Sequence, residues 1–246
     1  MQFDLNCDLG EDEPLARTRL LMAHVTSANI ACGGHAGDVA SMRRCVRLAK
    51  TYRTLVGAHP GLCDRDNFGR SDTRIDANEL ELLLLQQVGT LDRIATEEHV
   101  KLHHIKLHGA LYHATERDAN LARAYLSIVR HWWPKVIVYA FAGGTLARYA
   151  RRVGVEVWQE AFLDRNYRDD GSLGPRSEPD ALLTDLGEIR KRLDLLSTKR
   201  RIITHSEASL PIRAQTLCVH SDTPGVSRIV RMLRRLRPEF SKIGRK

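Results

Sequence analysis

At 246 residues, 43% hydrophobic and 28% charged, the chain has the composition of a globular protein with a sizeable core, and its length allows one large α/β domain. No apolar run approaches the ~20 residues that cross a bilayer, Asp4 stands where a signal peptide needs basic and then apolar residues, and five cysteines without framework spacing predict reduced thiols in a cytoplasmic protein. The net charge of +8 raises the question of nucleic acid, yet eight Lys/Arg against one acid, Glu239, lie between Arg228 and Lys246, so the rest of the chain is close to neutral.

The first segment, Phe3-Asp-Leu-Asn-Cys-Asp8-Leu-Gly-Glu11, alternates apolar and polar residues as a strand does. Phe3, Leu5 and Cys7 share one face, and Asp4, Asn6 and Asp8 the other. An edge strand with a wet face has this pattern. A strand opening a barrel has it too, and then points the polar face inward, where carboxylates need a cation or hydrogen bonds. Leu15 to His24 reads as a short helix. Val25 to Ile30 reads as a strand that breaks at Gly33-Gly34, presents His35, turns at Gly37 and starts a helix behind Asp38. Met42, Cys45, Val46, Ala49 and Tyr52 give that helix an apolar stripe, and Asp38 is placed to cap it.

Leu55 to His59 is a second short apolar run ending in histidine, turned by Pro60-Gly61, and Asn67-Phe-Gly-Arg70 is a candidate anion-gripping segment. Asp76 with Glu79 fits a capping box ahead of the stripe Leu80, Leu83, Leu84, Val88, Leu91 and Ala95. In His103 to Tyr112, Lys106 and His108 lie two apart and share a face of an extended segment, while at least one of His103 and His104 is structural. Leu121 to Trp132 is helical by spacing, and Val136 to Ala140 is a buried strand. Gly143-Gly144 turns into a short helix ending near Gly154, and Val155 to Glu160 is the next strand. Arg168 to Pro179 is a long polar connection of the kind used as a binding loop or lid.

Asp185 to Leu196 is a helix, Ile202 to Ser206 a short extra strand or a loop, and Thr216 to Asp222 the last clear strand. Pro224-Gly225 then leads into the basic helix, where Ile229, Met232, Leu233 and Leu236 keep the spacing of a buried stripe. With only Phe240 as a nearby aromatic, the arginines read as a solvated face rather than a surface for DNA or RNA.

About seven strands, most followed by a helix, imply a parallel sheet, and the length favours a single-domain α/β fold over residues 1–246, a TIM-like (β/α) barrel. Asp8, His35, His59, Lys106 with His108, Glu160, and His220 with Asp222 all fall at strand ends. In such a barrel they converge on one mouth.

The runs Asp4 to Glu11, Ser27 to Asp38, Gly57 to Gly61, Phe68 to Arg70, Lys106 to Tyr112, Glu160 to Arg165 with Tyr167, and Cys218 to Asp222 resemble, in order and nearly end to end, the LamB/YcsF family. The resemblance implies a distorted, deacetylase-like (β/α) barrel. It also implies a role as the A component of an ATP-dependent 5-oxoprolinase, which opens the lactam 5-oxo-L-proline to L-glutamate. ATP and Mg2+ would be the cofactors and subunits B and C the partners, with no role for nucleic acid or membrane. Phosphorylation of the lactam oxygen would make a resonance-stabilised amide open to attack by water. Such a site needs a base, cations for developing charge and a clamp for the substrate carboxylate. Asp8, His35 or His59 is the expected base, Lys106 the charge stabiliser, and Arg70 or Arg165 the anion clamp. Glu160, His220 and Asp222 orient these groups, His108 joins the catalytic set, and Asn6, Asn29 and Tyr112 complete the substrate pocket.

Departures from the family pattern fall on loops. Leu107 stands in place of a proline, and His220-Ser-Asp-Thr-Pro224 replaces a glycine- and asparagine-bearing run. Asp12-Glu-Pro-Leu follows Glu11 in place of glycines, and Ser71 replaces an arginine. Charged and imidazole positions are kept where loop shape is not, which leaves room for a paralogue acting on a related lactam. Two other readings compete. One is a stand-alone metal-dependent amidase or deacetylase with Asp8, His35 and His59 as ligands to a divalent metal. The other is a basic scaffold or nucleic-acid protein, which leaves the strand-end residues unexplained.

Overall fold

In the computed structural model of the chain, which describes residues 3–72, 74–176 and 178–237, strands and helices alternate from the start. β1 (Asp4–Leu9), α1 (Leu15–Met22), β2 (Ser27–Ala31), α2 (Val39–Tyr52), β3 (Leu55–His59), α3 (Ala77–Glu97) and β4 (Leu102–Lys106) come first. Two helices in succession follow, α4 (Gly109–Arg117) and α5 (Ala119–Trp132), then β5 (Ile137–Phe141), α6 (Thr145–Val153) and β6 (Val157–Phe162). The chain ends with α7 (Leu186–Lys199), β7 (Arg201–Ile203), β8 (Ser209–Pro211), β9 (Thr216–His220) and α8 (Val226–Leu236). The basic tail from 238 to 246, with Glu239 and Phe240, lies outside the described residues.

Seven parallel strands close a barrel in the order β1-β2-β3-β4-β5-β6-β9, and β7 pairs with β8 as a separate antiparallel hairpin. The expected seven-stranded TIM-like α/β barrel is what forms. The stretch Ile202 to Ser206 is half of that hairpin, whose second strand, Ser209–Pro211, has too little apolar pattern to read from sequence. Helix α4 is the element the sequence hides. Its first residue, Gly109, takes φ +50°, and Asp118 ends it while capping α5 through Asn120 N–H and Leu121 N–H.

The caps read from sequence are formed. Asp38 accepts from Ser41 N–H, and Asp76 accepts from Asn78 and Glu79 N–H while Glu79 returns a bond to Asp76 N–H. The stripe of α3 packs Leu80, Leu84, Val88 and Leu91 fully out of solvent, each such burial stabilising by roughly 1.5–3 kcal/mol. The core thus lies between the helices and the outward strand residues Leu5, Cys7, Ile30, Val56, Ala58, Ile105 and Val138. Among the described residues no helix is long and apolar enough to cross a membrane.

Register fixes what points inward. Asp8 stands beside Asn29 and His220, Asn29 beside Gly57, Gly57 beside His104, and Lys106 beside Tyr139. Because side chains alternate along a strand, the set Asp4, Asn6, Asp8, Ser27, Asn29, His104, Lys106, Tyr139, Glu160, Thr216 and Cys218 fills the barrel. All are buried. The barrel interior is polar, and the apolar core wraps around it.

Candidate active site

The interior is built in layers along the barrel axis. At the bottom Asp4 accepts hydrogen bonds from Thr26, from Ser27 Oγ at 2.7 Å, from Tyr139 OH at 3.0 Å and from Thr216 Oγ1 at 2.6 Å. Four donors on one carboxylate satisfy a buried charge without a cation. Above it Asn29 Nδ2 donates to Asn6 Oδ1 at 2.8 Å and Asp8 Oδ1 at 2.7 Å, and His104 Nε2 bonds Asn29 Oδ1 at 2.7 Å. The His104 ring stacks on Tyr139 and occupies the space a Cβ at Gly57 would need, since that atom would lie 2.0 Å from Nε2. Burial and the neighbouring His103 push His104 well below the ordinary histidine range, so it is a neutral strut.

Lys106 crowns these layers. Its Nζ lies 2.9 Å from Asp8 Oδ1, 3.1 Å from Glu160 Oε1, 3.3 Å from Asn6 Oδ1 and 3.2 Å from Cys218 Sγ. Burial by itself would lower its pKa, but the Asp8 and Glu160 carboxylates hold it well above the ordinary lysine value. For Asp8 burial pulls upward, while His59 and Lys106 hold the carboxyl well below its usual range. An ammonium fixed between two carboxylates is a permanent charge, already oriented. Glu160 is held further by Asn6 Nδ2 at 2.9 Å and Tyr112 OH at 2.9 Å. The Cys218 thiol is pushed well up by burial and is no nucleophile at neutral pH.

Two histidine groups flank the lysine. On one side His220 Nδ1 lies 3.0 and 3.1 Å from the two oxygens of Asp164, which also accepts from His220 N–H at 2.7 Å and Thr223 Oγ1 at 2.6 Å. Burial would raise Asp164, but His220 and these donors hold it far below the carboxylate range. His220 Nε2 is left facing the mouth, 3.9 Å from Asp8 Oδ2, and its ring stacks on Phe162. On the other side His35, His59 and His108 gather around Glu11. His35 and His108 stack with centroids 3.6 Å apart, and His59 and Phe68 meet them edge-on.

Most of the residues singled out from sequence meet here, with several reassignments. Asp8, Lys106, Glu160 and His220 share one centre, with Asn6, Asn29 and Tyr112 supporting it. His35 and His59 group with Glu11 and His108, whereas Asp8 falls in a second cluster with Cys218 and His220, so the metal set Asp8, His35 and His59 is not the one assembled. Arg165 turns onto the carbonyls of Gly174, at 2.5 Å, and Ala181, where it shapes the 168–179 connection. Arg70 stands at the rim over the Phe68 ring, 3.4 Å from Asp222. Asp222 is bound mainly by Arg176, at 2.5 Å, a residue of the long connection that nothing in the sequence marks.

Other contributors were also silent in the sequence. Glu11 reads there as the end of a strand, yet Gly10 at φ +76° turns the chain so that Glu11 faces three imidazoles. Gln87, inside the α3 stripe, brackets Gly61 by accepting from its N–H at 3.0 Å and donating to its carbonyl at 2.7 Å. A glutamine among leucines gives no hint of that.

Comparison with known proteins agrees with this picture. Residues 3–242 match the LamB/YcsF family. The chain is 40% identical over 225 residues to a Bordetella pertussis protein named as the A subunit of 5-oxoprolinase, covering 90% of this chain and 89% of that one. It is 36% identical over 222 residues to the Brevibacillus brevis protein of the same name, covering 89% and 87%. A crystal structure of a lactam utilization protein from Thermus thermophilus superposes with a TM-score of 0.88 at 35% identity, over 97% of this chain and 98% of that one.

Proposed function

The chain belongs to the LamB/YcsF family, and from that premise we propose that it is the A-type component of a 5-oxoprolinase, a hydrolase that opens the lactam 5-oxo-L-proline to L-glutamate. The observation that carries the reading is the buried Lys106 ammonium, fixed by Asp8 and Glu160 beside the His220–Asp164 pair. Lactam hydrolysis places negative charge on the carbonyl oxygen as water adds, then needs a proton on the ring nitrogen as the C–N bond breaks. Lys106 supplies a charge that does not have to reorient. His220 Nε2 takes the proton from water and returns it to the nitrogen, while Asp164 fixes the ring and stabilises the imidazolium. At the rim, Arg176 and Arg70 offer guanidinium groups to the substrate carboxylate in exchange for Asp222.

ATP with Mg2+ enters this scheme through the partners, subunits B and C, in the cytoplasm. A triphosphate is commonly cradled by free N–H groups at a helix N-terminus. Here Ser41 N–H at α2 is taken by Asp38, Ala110 N–H at α4 by the Gly69 carbonyl, and Thr145 N–H at α6 by Glu116, two of the three acceptors being carboxylates. These three helix starts are therefore taken, and no step on this chain is routed through a nucleotide. Assaying glutamate and phosphate from 5-oxoproline and ATP, with and without subunits B and C, tests the reading. Release of both products only in the full assembly supports it. No glutamate from the full assembly, with turnover of another lactam, would move the chain to a paralogous substrate. A stand-alone metal-dependent amidase is the second reading, favoured by the imidazole cluster, and ATP-independent turnover by this chain alone would select it.

A further inference from the structure

We propose that Glu11, His35, His59 and His108 form a binding site for one divalent first-row transition-metal ion, of the class, such as Zn2+, that takes imidazole nitrogens with a carboxylate oxygen. The site rests on its own geometry and stands whatever lactam the barrel accepts.

The donor atoms converge from four successive strand ends, and one ligand atom from each residue lies within 4.8 Å of all the others. Glu11 Oε1 is 3.0 Å from His35 Nε2, 3.7 Å from His59 Nε2 and 3.5 Å from His108 Nδ1, and the last two nitrogens are 2.9 Å apart. Four ligands held tetrahedrally at about 2.0–2.1 Å from one ion stand about 3.3 Å from each other. The observed separations bracket that value, and the stacked rings of His35 and His108 have to tilt apart for both to aim at one ion.

Hydrogen bonds on the far side of two rings settle which nitrogen carries a proton. His59 Nδ1 lies 2.8 Å from the Lys106 carbonyl, which can only accept, so Nδ1 is protonated, and Nε2 presents a lone pair when the ring is neutral. His108 Nε2 lies 2.9 Å from the Phe68 carbonyl, so Nδ1 presents its lone pair. With both rings neutral, two lone pairs face each other across 2.9 Å. That contact is repulsive unless a proton or a cation lies between them. An outer N–H anchored on a backbone carbonyl is also how metal-ligating histidines are held in orientation. His35 Nδ1 is buried with no partner, and Nε2 lies 3.0 Å from Glu11 Oε1, so without an ion Nε2 carries the proton that this carboxylate accepts, and a bound metal takes that proton's place.

The surroundings are shaped and charged to match. A Cβ at Gly61 would fall 2.5 Å from His35 Nδ1 and one at Gly69 2.8 Å from His35 Cβ, so the backbone closes on the rings where only glycine permits it. Asp8, with Oδ2 3.5 Å from His59 Nε2, adds a second carboxylate next to the cluster. Asp8, Glu11 and Glu160 together stand against the single ammonium of Lys106, and a divalent cation offsets that excess.

The test uses the full chain, stripped with a chelator and titrated with Zn2+ by calorimetry and with Co2+ by visible absorption. The expected result is one ion per chain, a four-coordinate Co2+ spectrum, a rise in Tm with Zn2+, and at least ~10-fold weaker binding in Glu11→Gln and in His108→Gln. His220→Gln, in the other cluster, should bind as wild type. Thermal scans of the metal-free variants establish that they fold, and either quartet variant suffices if the other does not. Absence of saturable uptake by the wild type would overturn the proposal, leaving a proton between His59 and His108. So would loss of binding in His220→Gln with both quartet variants unaffected, which moves the ion to Asp8, Cys218 and His220.

Discussion

Removing the ammonium of Lys106 strands Asp8 and Glu160 as buried carboxylates facing each other. Lys106→Met should therefore lower turnover at least ~100-fold and also lower the free energy of unfolding by about 3–5 kcal/mol. Urea titration beside the glutamate assay measures both. Wild-type stability would show that the carboxylates find other partners. Asp164 yields a pH prediction. Its folded pKa is depressed, so its contribution to stability is fully present above the unfolded carboxylate value of about 4 and is lost as pH falls through the folded value. In Asp164→Asn the fall of Tm on acidification below about pH 4 should be shallower than in wild type, and a parallel fall would place the acid sensitivity elsewhere. At this scale the sequence marks residue type and strand-end position well, as at Asp8, Lys106 and His220. It does not mark depth. His35 reads as a mouth residue, yet it is buried at 1% exposure and packed between rings, because loops after other strands fold over it.

Between β3 and β4 the fit is steric. The His104 ring occupies the volume a side chain at Gly57 would fill, and through Asn29 it orients the amide that donates to Asp8. Gly57→Ala should cost about 1–3 kcal/mol by overpacking and should reduce turnover by displacing Asn29. Unchanged stability would mean that the barrel widens freely there. Sequence periodicity exposes most elements, since α2 buries Met42, Cys45, Val46 and Ala49 of its predicted stripe and leaves only Tyr52 out, and α3 buries all of its stripe but the half-buried Leu83. It fails at α4, where a positive-φ glycine and a histidine N-cap without a side-chain cap bond disguise the start. It also leaves the long connection unassigned, because the bonds that shape it run from Arg165 to distant backbone carbonyls and from Arg176 to Asp222. Pairings that far apart leave no local pattern.

For the whole molecule, the barrel was legible from the alternation of short apolar runs and amphipathic helices, and the inward polar face of β1 from its period of two. Among the described residues, the basic face of α8 lies outside it. α8 buries Val226, Ile229, Val230 and Leu233, with Arg231 and Arg235 exposed. Replacing those two arginines with glutamine should leave Tm and turnover unchanged in the isolated chain. Loss of activity only in the proposed multi-subunit assembly would make the face a docking surface. The polar interior has a last consequence, which is calorimetric. Exposing apolar surface raises the heat capacity of unfolding, whereas exposing polar surface lowers it. Unfolding this barrel releases a column of carboxylates, amides, hydroxyls and imidazoles where a hydrocarbon-filled barrel releases valine and leucine. At the usual ~12–15 cal/mol/K per residue, a chain of this length would show about 3–3.7 kcal/mol/K. The value here should fall below that range, flattening the stability curve and keeping the protein folded over a wider span of temperature than its size alone implies.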